Sequence, residues 1–585
     1  MSLSLVKSES LLAIDVGTVN TRVSLFDVVD ARYRYLGSGI APTTINAPFN
    51  DIREGINQAI ENLQTITGRI LLGDDAQIII PEQVDGSGVD LVAATVSAST
   101  PLNIIVAGLL EDVSVESAVR LANSIPSVIQ KKFGLNDHLS AEERLNSIVQ
   151  LRPDLILVAG GTDQGAESSV LKMLETIGLA SFLLPDDQRP LILFMGNTKL
   201  HEKIKQIPVI GQTIRFAPNI RPALDTEQMQ PARVELMDAF RTIQQGKLPG
   251  FSNLIEWTKG ATIPASFGWE RVIRLLSKVY DSHKGVLGAD IGVSGICLAA
   301  GFGGETQVAA FPQYGLGNPN QHQFDADFID DIQKWLMFDF SVPEIKNLIQ
   351  TRRIYPASLP LTEAELDFEY AYSTVALQHS IQQFLQSLHS ITHIGESECL
   401  PAVEPIIVSG SVLTNSSHLA RSAMTILNGL QPTRITTLIL DQHHLVKVLG
   451  AAAAVNPVLA IQAMDFGTLL NLASVIAPVG RAKAGTVILK AKINYEDGRE
   501  QKLDVRYGQF ICLPLPIGQS MQMQLQPLHK FDIGMGGEGV GGKVRLNGSA
   551  LGVIIDARGR PLRLPQDREK RRELHKRWML ALEKR

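Results

Sequence analysis

The sequence predicts an α/β protein made of two similar halves, followed by a smaller β-rich domain. Three observations lead to this prediction. An Asp-x-Gly turn between two apolar runs occurs twice, at Asp15 and at Asp290. Strand-like apolar runs alternate with helix-like segments before residue 458, which is typical of α/β domains. Beyond residue 458 apolar and polar residues alternate, as they do in antiparallel strands with one exposed face.

Length and composition set the broad class of protein. A chain of 585 residues is too long for one hydrophobic core, so we expect domains at 1–213, 214–283, 284–457 and 458–566 and a terminal helix at 567–585. The 45% of hydrophobic and 19% of charged residues are typical of a folded soluble protein. A formal net charge of -6 gives no electrostatic reason to expect nucleic acid as a partner.

The first Asp-x-Gly segment predicts a β-hairpin with a phosphate site at its tip. Gly17 has no Cβ, so a ligand can approach the backbone there, and successive N–H groups in such a turn form an anion site. The hydroxyls of Thr18 and Thr21 add donors, and Asp15 could hold a hydrated Mg²⁺ ion, which prefers carboxylate oxygens and keeps its waters. The alternative is an ordinary hairpin whose polar side chains satisfy the turn.

A second hairpin with the same plan lies about 275 residues further along the chain. Asp290 follows an apolar run, Gly292 comes two residues later, and Ser294 supplies a hydroxyl. The repeat predicts a duplicated fold in which one carboxylate from each half faces a shared cleft. A third glycine turn, at Gly410 and Ser411, follows another apolar run.

The remaining elements follow from apolar spacing. In order, we expect a helix at 52–63, strands at 91–99 and 102–109, a helix at 113–124, strands at 154–159 and 190–195, and helices at 232–245 and 328–336. Four aspartates accompany the last of these helices, and we interpret them as a solvated face and first-turn charges rather than as a metal site.

A glycine-rich loop of Gly160, Gly161, Thr162 and Asp163 follows the strand at 154–159. Ligands of open α/β sheets bind beyond the carboxyl ends of strands, so this position suits a binding loop. A tight strand-to-helix turn in which Thr162 or Asp163 caps the next helix is the alternative. The sequence leaves both interpretations open.

Two further segments have plain structural interpretations. Five prolines spread over residues 214–283 predict a connector. The apolar stretch Leu445–Met464 contains a lysine and a proline, so we interpret it as a buried helix and not as a membrane span. His443 and His444 precede this stretch and are assigned to the helix start or to the surface.

The C-terminal region is predicted to be β-rich. The alternating run 485–508 around an Asp-Gly pair predicts a hairpin, and further strands follow it. Residues from Gly537 to Lys543 have the P-loop spacing, but Val544 stands where a Ser or Thr is required and a strand pattern follows where a P-loop needs a helix. We therefore expect a bulged hairpin, with a partner-contacting glycine loop as the alternative. The basic segment 567–585 either docks through its apolar side or binds a partner.

These segments together resemble the actin, Hsp70 and sugar-kinase superfamily of ATP-binding proteins, which have duplicated ribonuclease H-like halves. There the two hairpins are the phosphate motifs, the turn at Gly410 is similar to the adenosine motif, and the helix after Leu445 is similar to a connecting helix. The Ala-Gly-Gly-Thr-Asp loop, the later strand ending in Gly-Asn and the segment 229–240 are similar to the MutL or GlmL accessory proteins of adenosylcobalamin-dependent glutamate mutase, which are unrelated to the mismatch-repair protein called MutL. The resemblance covers residues 10–456.

The resemblance implies that ATP lies in a cleft between the two actin-like halves. The candidate nucleotide-binding residues are Gly17, Thr18, Thr21, Gly160, Gly161, Thr162, Asp163, Gly292, Ser294, Gly410 and Ser411. Asp15 and Asp290 would be catalytic, positioning Mg²⁺ through water together with the attacking water. The second hairpin lacks the usual threonine and a Ser-Gly-Ser replaces a double glycine, so we expect slow ATP hydrolysis or binding alone.

Three functions remain open from the sequence. The first is an ATP-dependent, chaperone-like accessory protein whose client is a protein such as a cobalamin mutase, and the second is a small-molecule kinase, for which Asp163 is the only general base we can name. The third is a scaffold with an inactive nucleotide site. Self-association is also left open.

The location predicted for the chain is the cytoplasm. Cys297, Cys399 and Cys512 are isolated from one another, which favours reduced thiols over a disulfide framework or a metal site. The segment Met1–Ser10 is too polar for a signal peptide.

Overall fold

A computed structural model describes residues 9–207, 210, 213–281, 283–317, 321–392, 398–416, 418–465 and 467–583. Most of the segment Met1–Ser10 and the last two residues of the predicted terminal helix lie outside this part of the chain. Within it the named strands form four sheets. None of its helices combines the length and the apolar character needed to cross a bilayer.

The first 270 described residues contain two of these sheets and the helices that cover them. The elements are β1 (Leu11–Val16), β2 (Asn20–Val29), β3 (Arg32–Pro42), α1 (Ile52–Thr67), β4 (Leu91–Val96), β5 (Leu102–Ala107), α2 (Glu116–Ala122), β6 (Ser127–Phe133), α3 (Ala141–Leu151), β7 (Leu155–Val158), α4 (Ser168–Leu183), β8 (Leu191–Phe194), α5 (His201–Lys205), β9 (Ile214–Phe216), α6 (Met229–Lys247), α7 (Phe251–Trp257), β10 (Thr262–Pro264) and α8 (Ala265–Val279). The predicted helix at 52–63 and the four predicted strands of this region are confirmed, with small differences at their ends.

The first hairpin and the glycine-rich loop belong to different sheets. The first sheet has the strand order β10-β4-β1-β2-β3, in which β1 pairs antiparallel with β2 and parallel with β4. The second sheet, β6-β5-β7-β8-β9, is parallel throughout and is inserted in the chain between β4 and β10. Its central strands are buried, as the continuous apolar runs predict.

The rest of the chain forms the second half and the β-rich region. The elements are β11 (Gly285–Gly292), β12 (Gly295–Phe302), β13 (Glu305–Phe311), α9 (Ala326–Trp335), α10 (Val342–Ile354), α11 (Glu363–Thr392), β14 (Val403–Ser409), α12 (Ser411–Thr414), α13 (Leu419–Gly429), β15 (Arg434–Leu440), α14 (Val446–Ala452), α15 (Pro457–Asp465), β16 (Leu470–Ala477), β17 (Val487–Tyr495), β18 (Glu500–Arg506), β19 (Phe510–Leu513), β20 (Ser520–Pro527), β21 (Gly542–Asn547), β22 (Val553–Asp556) and α16 (Arg568–Glu583).

The two halves share one topology. The third sheet begins β13-β12-β11-β14-β15, which repeats the order β3-β2-β1-β4-β10 of the first sheet with the same parallel and antiparallel pairings around the central strand. The predicted duplication of the fold is therefore confirmed. A core that includes Leu11, Trp269, Val286 and Leu449 joins the two halves.

Part of the C-terminal region is integrated into the sheet of the second half. Strands β16, β22 and β19 extend the third sheet, while β18-β17-β20-β21 form a separate antiparallel sheet, and the predicted hairpin is confirmed. Helix α16 docks through Trp578 and Leu582, which are buried in the core of the second half. That the predicted domains fold independently of one another remains a prediction.

Three segments of the structure bear on the elements that the sequence predicts. The stretch Leu445–Met464 is two helices and not one, because Pro457 starts α15 after Asn456, whose side chain accepts from the N–H of Leu459 at 3.1 Å. The residues after the P-loop-like glycines form strand β21, as expected. Residues 214–283, predicted as a connector, contain β9, α6, α7, β10 and α8, and β10 pairs with β4.

Candidate functional site

A cavity of about 130 Å³ lies where the β1–β2 and β11–β12 hairpins face each other. Most of the predicted site residues line it, namely Asp15, Gly17, Thr18, Asp290, Gly292, Ser294, Gly410 and Ser411. Thr21 is fully buried behind it, with its hydroxyl oxygen 2.9 Å from that of Thr43. The structure therefore brings together residues from both halves that are far apart in sequence.

The tip of the first hairpin is held by hydrogen bonds. The N–H of Gly17 donates to the carbonyl of Asn20 at 3.1 Å, and the hydroxyl of Thr43 donates to the carbonyl of Gly17 at 2.6 Å. A Cβ at Gly17 would lie 2.7 Å from the Asn20 oxygen, so only glycine fits this turn. The hydroxyl of Thr18 donates to the carbonyl of Ser97 at 3.3 Å. The conformation of the turn is thus fixed by its own hydrogen bonds.

The glycine turn before α12 approaches the second hairpin very closely. Gly410 has a φ of 125°, a conformation that other residues rarely adopt. A Cβ at this position would lie 2.3 Å from the carbonyl oxygen of Ile291, in strand β11 next to Asp290. Glycine is therefore required here, and it lets Ser411 reach the cavity.

A buried lysine joins the two predicted catalytic carboxylates. The Nζ atom of Lys447 lies 2.9 Å from Oδ2 of Asp15 and 3.7 Å from Oδ2 of Asp290. The hydroxyl of Thr95 donates to the other oxygen of Asp15 at 2.9 Å, and the indole N–H of Trp269 donates to Asp290 at 3.3 Å. Burial alone lowers the pKa of Lys447, but the two carboxylates outweigh it and hold that pKa above its usual value.

Sequence reasoning missed Lys447 as a site residue. Its only local signal is a single charged residue in an otherwise apolar, alanine-rich segment, which also fits a surface-facing position on a helix. The side chain is instead 12% exposed, because α14 lies between the two halves.

Magnesium does not fit between the carboxylates while Lys447 stays there. The carboxylate oxygens of Asp15 and Asp290 are the donors that Mg²⁺ prefers, but an ammonium already lies between them. In the described residues, no group of three or more His, Cys, Asp or Glu side chains could hold a metal ion. The magnesium role of the two aspartates stays a prediction.

The second of the two histidines before α14, His444, is buried. His444 is 7% exposed, with Nε2 3.0 Å from the hydroxyl of Thr414 and Nδ1 3.3 Å from that of Ser409. Burial, reinforced by nearby cations, lowers the pKa of His444 to about 2, so its ring is neutral. The surface position is wrong for His444, because the residue is buried and lines the cavity. The predicted helix-start position is confirmed, because His444 lies two residues before Val446, the first residue of α14.

The glycine-rich loop of Gly160, Gly161, Thr162 and Asp163 does not line this cavity in the described structure. The carboxylate of Asp163 accepts from the side-chain amide of Asn219 at 2.9 Å and from Thr198. Burial raises the pKa of Asp163, but these hydrogen bonds outweigh burial and hold that pKa below its usual value. The loop lies at the carboxyl end of β7 in the inserted sheet, and its nucleotide-binding role stays a prediction.

One protein-family model matches most of the chain. The family model described as MutL protein matches residues 11–297 and 325–466. No curated protein matches the chain.

Solved structures show only distant likeness. A ROK family glucokinase from Streptomyces griseus in complex with glucose and AMPPNP is 11% identical, with 76% of this chain and 98% of that chain covered and a TM-score of 0.27. Diol dehydratase-reactivating factor in nucleotide free form is 10% identical, with 76% and 99% covered and a TM-score of 0.28. Glycerol dehydratase reactivase is 10% identical, with 77% and 100% covered and a TM-score of 0.28. At these TM-scores the likenesses support no inference about this chain.

Proposed function

The chain belongs to the MutL protein family, and on this premise we propose that it is a nucleotide-binding, chaperone-like accessory protein that reactivates or assembles an adenosylcobalamin-dependent mutase similar to glutamate mutase. The observation that carries the proposal is the meeting of Asp15 and Asp290, one from each half, with the glycine turns of both hairpins at one cavity. A triphosphate bound there would touch both halves. Its presence would therefore bias the angle between them.

The size of the cavity supports a change of shape on binding. Ligand pockets usually enclose about 300–1,000 Å³, whereas this cavity has about 130 Å³. A whole nucleotide would need the two halves to separate, and that movement is what a client protein could sense. ATP is the expected nucleotide, and its hydrolysis would depend on positioning and electrostatics alone.

The first test is ATP binding by calorimetry in the presence of Mg²⁺. We expect the wild type to bind MgATP. Asp15→Asn and Asp290→Asn should bind it at least tenfold more weakly, since each variant removes one carboxylate that would hold the metal of the nucleotide. Asp504→Asn, an exposed aspartate on β18, is the matched control and should bind like the wild type. A wild type that binds no ATP would contradict the proposal.

The second test concerns the client. The protein is mixed with a glutamate mutase that carries an inactivated cobalamin, and cobalamin exchange is followed by absorbance. We expect exchange with ATP and none without it or with Asp15→Asn. Exchange that is independent of ATP, or absent throughout, would refute the assigned role.

A scaffold with an inactive nucleotide site is the second candidate function. It is favoured by Lys447, whose ammonium already satisfies the two carboxylates. A small-molecule kinase has less support, because Asp163, its only named general base, does not line the cavity in the described structure. The calorimetric test separates the scaffold from the nucleotide switch.

A further inference from the structure

Lys447 joins three separate parts of the fold. Its ammonium contacts Asp15 on β1 of the first half and Asp290 on β11 of the second half, while its own backbone belongs to α14. The side chains of the two aspartates are 8% and 14% exposed, so bulk water screens these contacts poorly. Lys447 is thus an internal cation that ties the halves together across the cleft.

The backbone of α14 fixes the position of the lysine. A Cβ at Gly268 of α8 would lie 2.2 Å from the carbonyl oxygen of Lys447, so the two helices touch where only glycine fits. Asp441 accepts from the N–H groups of Leu445 at 2.8 Å and Val446 at 2.9 Å, which holds the start of α14. These contacts hold the backbone of Lys447 in place and with it the position of the ammonium.

A divalent cation and this ammonium compete for the same carboxylates. Mg²⁺ or Mn²⁺ would bind Asp15 and Asp290 directly or through water, and two cations at this short range repel each other strongly where the carboxylates are largely buried. Lys447 and Arg22, which also lines the cavity, together offset the charges of the two carboxylates, so no net negative charge is left for a further cation. Removing the ammonium would therefore raise the affinity of the pair for a metal.

We propose that Lys447 is a built-in cation that occupies the metal position of the cleft and keeps the empty cleft closed, so that a divalent cation enters only when the lysine is displaced. This inference deepens the proposed nucleotide function. It rests on that function only for what displaces Lys447, which would be the bound nucleotide with its metal. In the empty protein the lysine withholds the two carboxylates from free metal. Metal binding and cleft opening are then coupled events.

The direct test is the binding of Mn²⁺ alone, measured by electron paramagnetic resonance without nucleotide. We expect the wild type and Lys447→Arg to bind Mn²⁺ weakly, Lys447→Met to bind it at least tenfold more tightly, and Lys447→Met/Asp290→Asn to lose that gain. Circular dichroism confirms that each variant is folded. Equal Mn²⁺ affinity of the wild type and Lys447→Met would overturn the proposal, as would a gain that survives Asp290→Asn.

A second measurement uses the wild type, so it holds even if Lys447→Met does not fold. An amine-reactive label is applied, and modification of Lys447 is quantified by mass spectrometry. We expect protection in the empty protein and at least fivefold faster labelling with MgATP. MgATP binding without a change in labelling would overturn the displacement while leaving the nucleotide function intact. No MgATP binding at all would refute the nucleotide function, and the Mn²⁺ comparison would still decide the role of Lys447.

Discussion

The contact between α8 and α14 gives the sharpest prediction about the site. Gly268→Ala adds one methyl group whose carbon would lie 2.2 Å from the carbonyl oxygen of Lys447. A carbon and a carbonyl oxygen normally approach no closer than about 3.3 Å. The substitution therefore forces α14 to move by about 1 Å, and the residue that moves is the one whose ammonium lies between Asp15 and Asp290.

The expected cost follows from two opposing effects. Overpacking of a well-packed contact costs about 1–3 kcal/mol, while replacing glycine by alanine inside a helix gains about 0.5–1 kcal/mol. We expect Gly268→Ala to lower the free energy of unfolding by about 1 kcal/mol, the difference between the midpoints of these two ranges. The same movement should weaken the contact between Lys447 and Asp15.

Urea unfolding followed by tryptophan fluorescence measures the stability change, and Mn²⁺ binding reports the lysine position. Gly246→Ala in α6 is the matched control, because nothing lies within 4 Å of its added Cβ. That control should unfold at the same or a slightly higher urea concentration and should keep the weak Mn²⁺ binding of the wild type. Gly268→Ala should bind Mn²⁺ more tightly than either.

One result would refute this reasoning. If Gly268→Ala is as stable as Gly246→Ala and binds Mn²⁺ no better, then α8 and α14 do not touch at Gly268. The position of Lys447 would then not depend on that contact.

Two further predictions concern the attachment of the C-terminal region. Asp556 is fully buried and accepts from Arg558 at 2.7 Å and from Arg560 at 2.6 Å. Asp556→Asn should therefore lower the free energy of unfolding by about 3–5 kcal/mol. The control Asp497→Asn, on an exposed turn, should leave the urea midpoint unchanged. His575 stacks on Trp335 at 5.1 Å, and burial, with the charges of Arg558 and Arg571, lowers its pKa from 6.5 to about 4. The unfolded state then binds the proton more tightly between these pH values, so this group's contribution to stability falls as pH falls from 6.5 to 4, by about 1.4 kcal/mol per pH unit. His575→Phe keeps the stacked ring and should lose that part of the pH dependence, and an unchanged slope would contradict the assignment.

The sequence by itself determined the two hairpins and the fold class. Asp15 with Gly17 and Asp290 with Gly292 could be recognised because a hairpin is a local structure, in which residues a few positions apart decide the turn. Burial of strands likewise follows from the side chains of each strand. These signals predicted the duplication, and the repeated strand order confirmed it.

The tertiary structure alone decided which residues meet at the cleft. Lys447 lies more than 400 residues after Asp15, and its contact with the aspartates depends on where α14 packs against α8. The loop ending at Asp163 has a binding-loop pattern, yet it follows a strand of the inserted sheet and does not line the cavity in the described structure. A local pattern specifies the conformation of its own segment, whereas the packing of distant helices and sheets decides which charges lie together, and that packing has no signature in any single stretch of the chain.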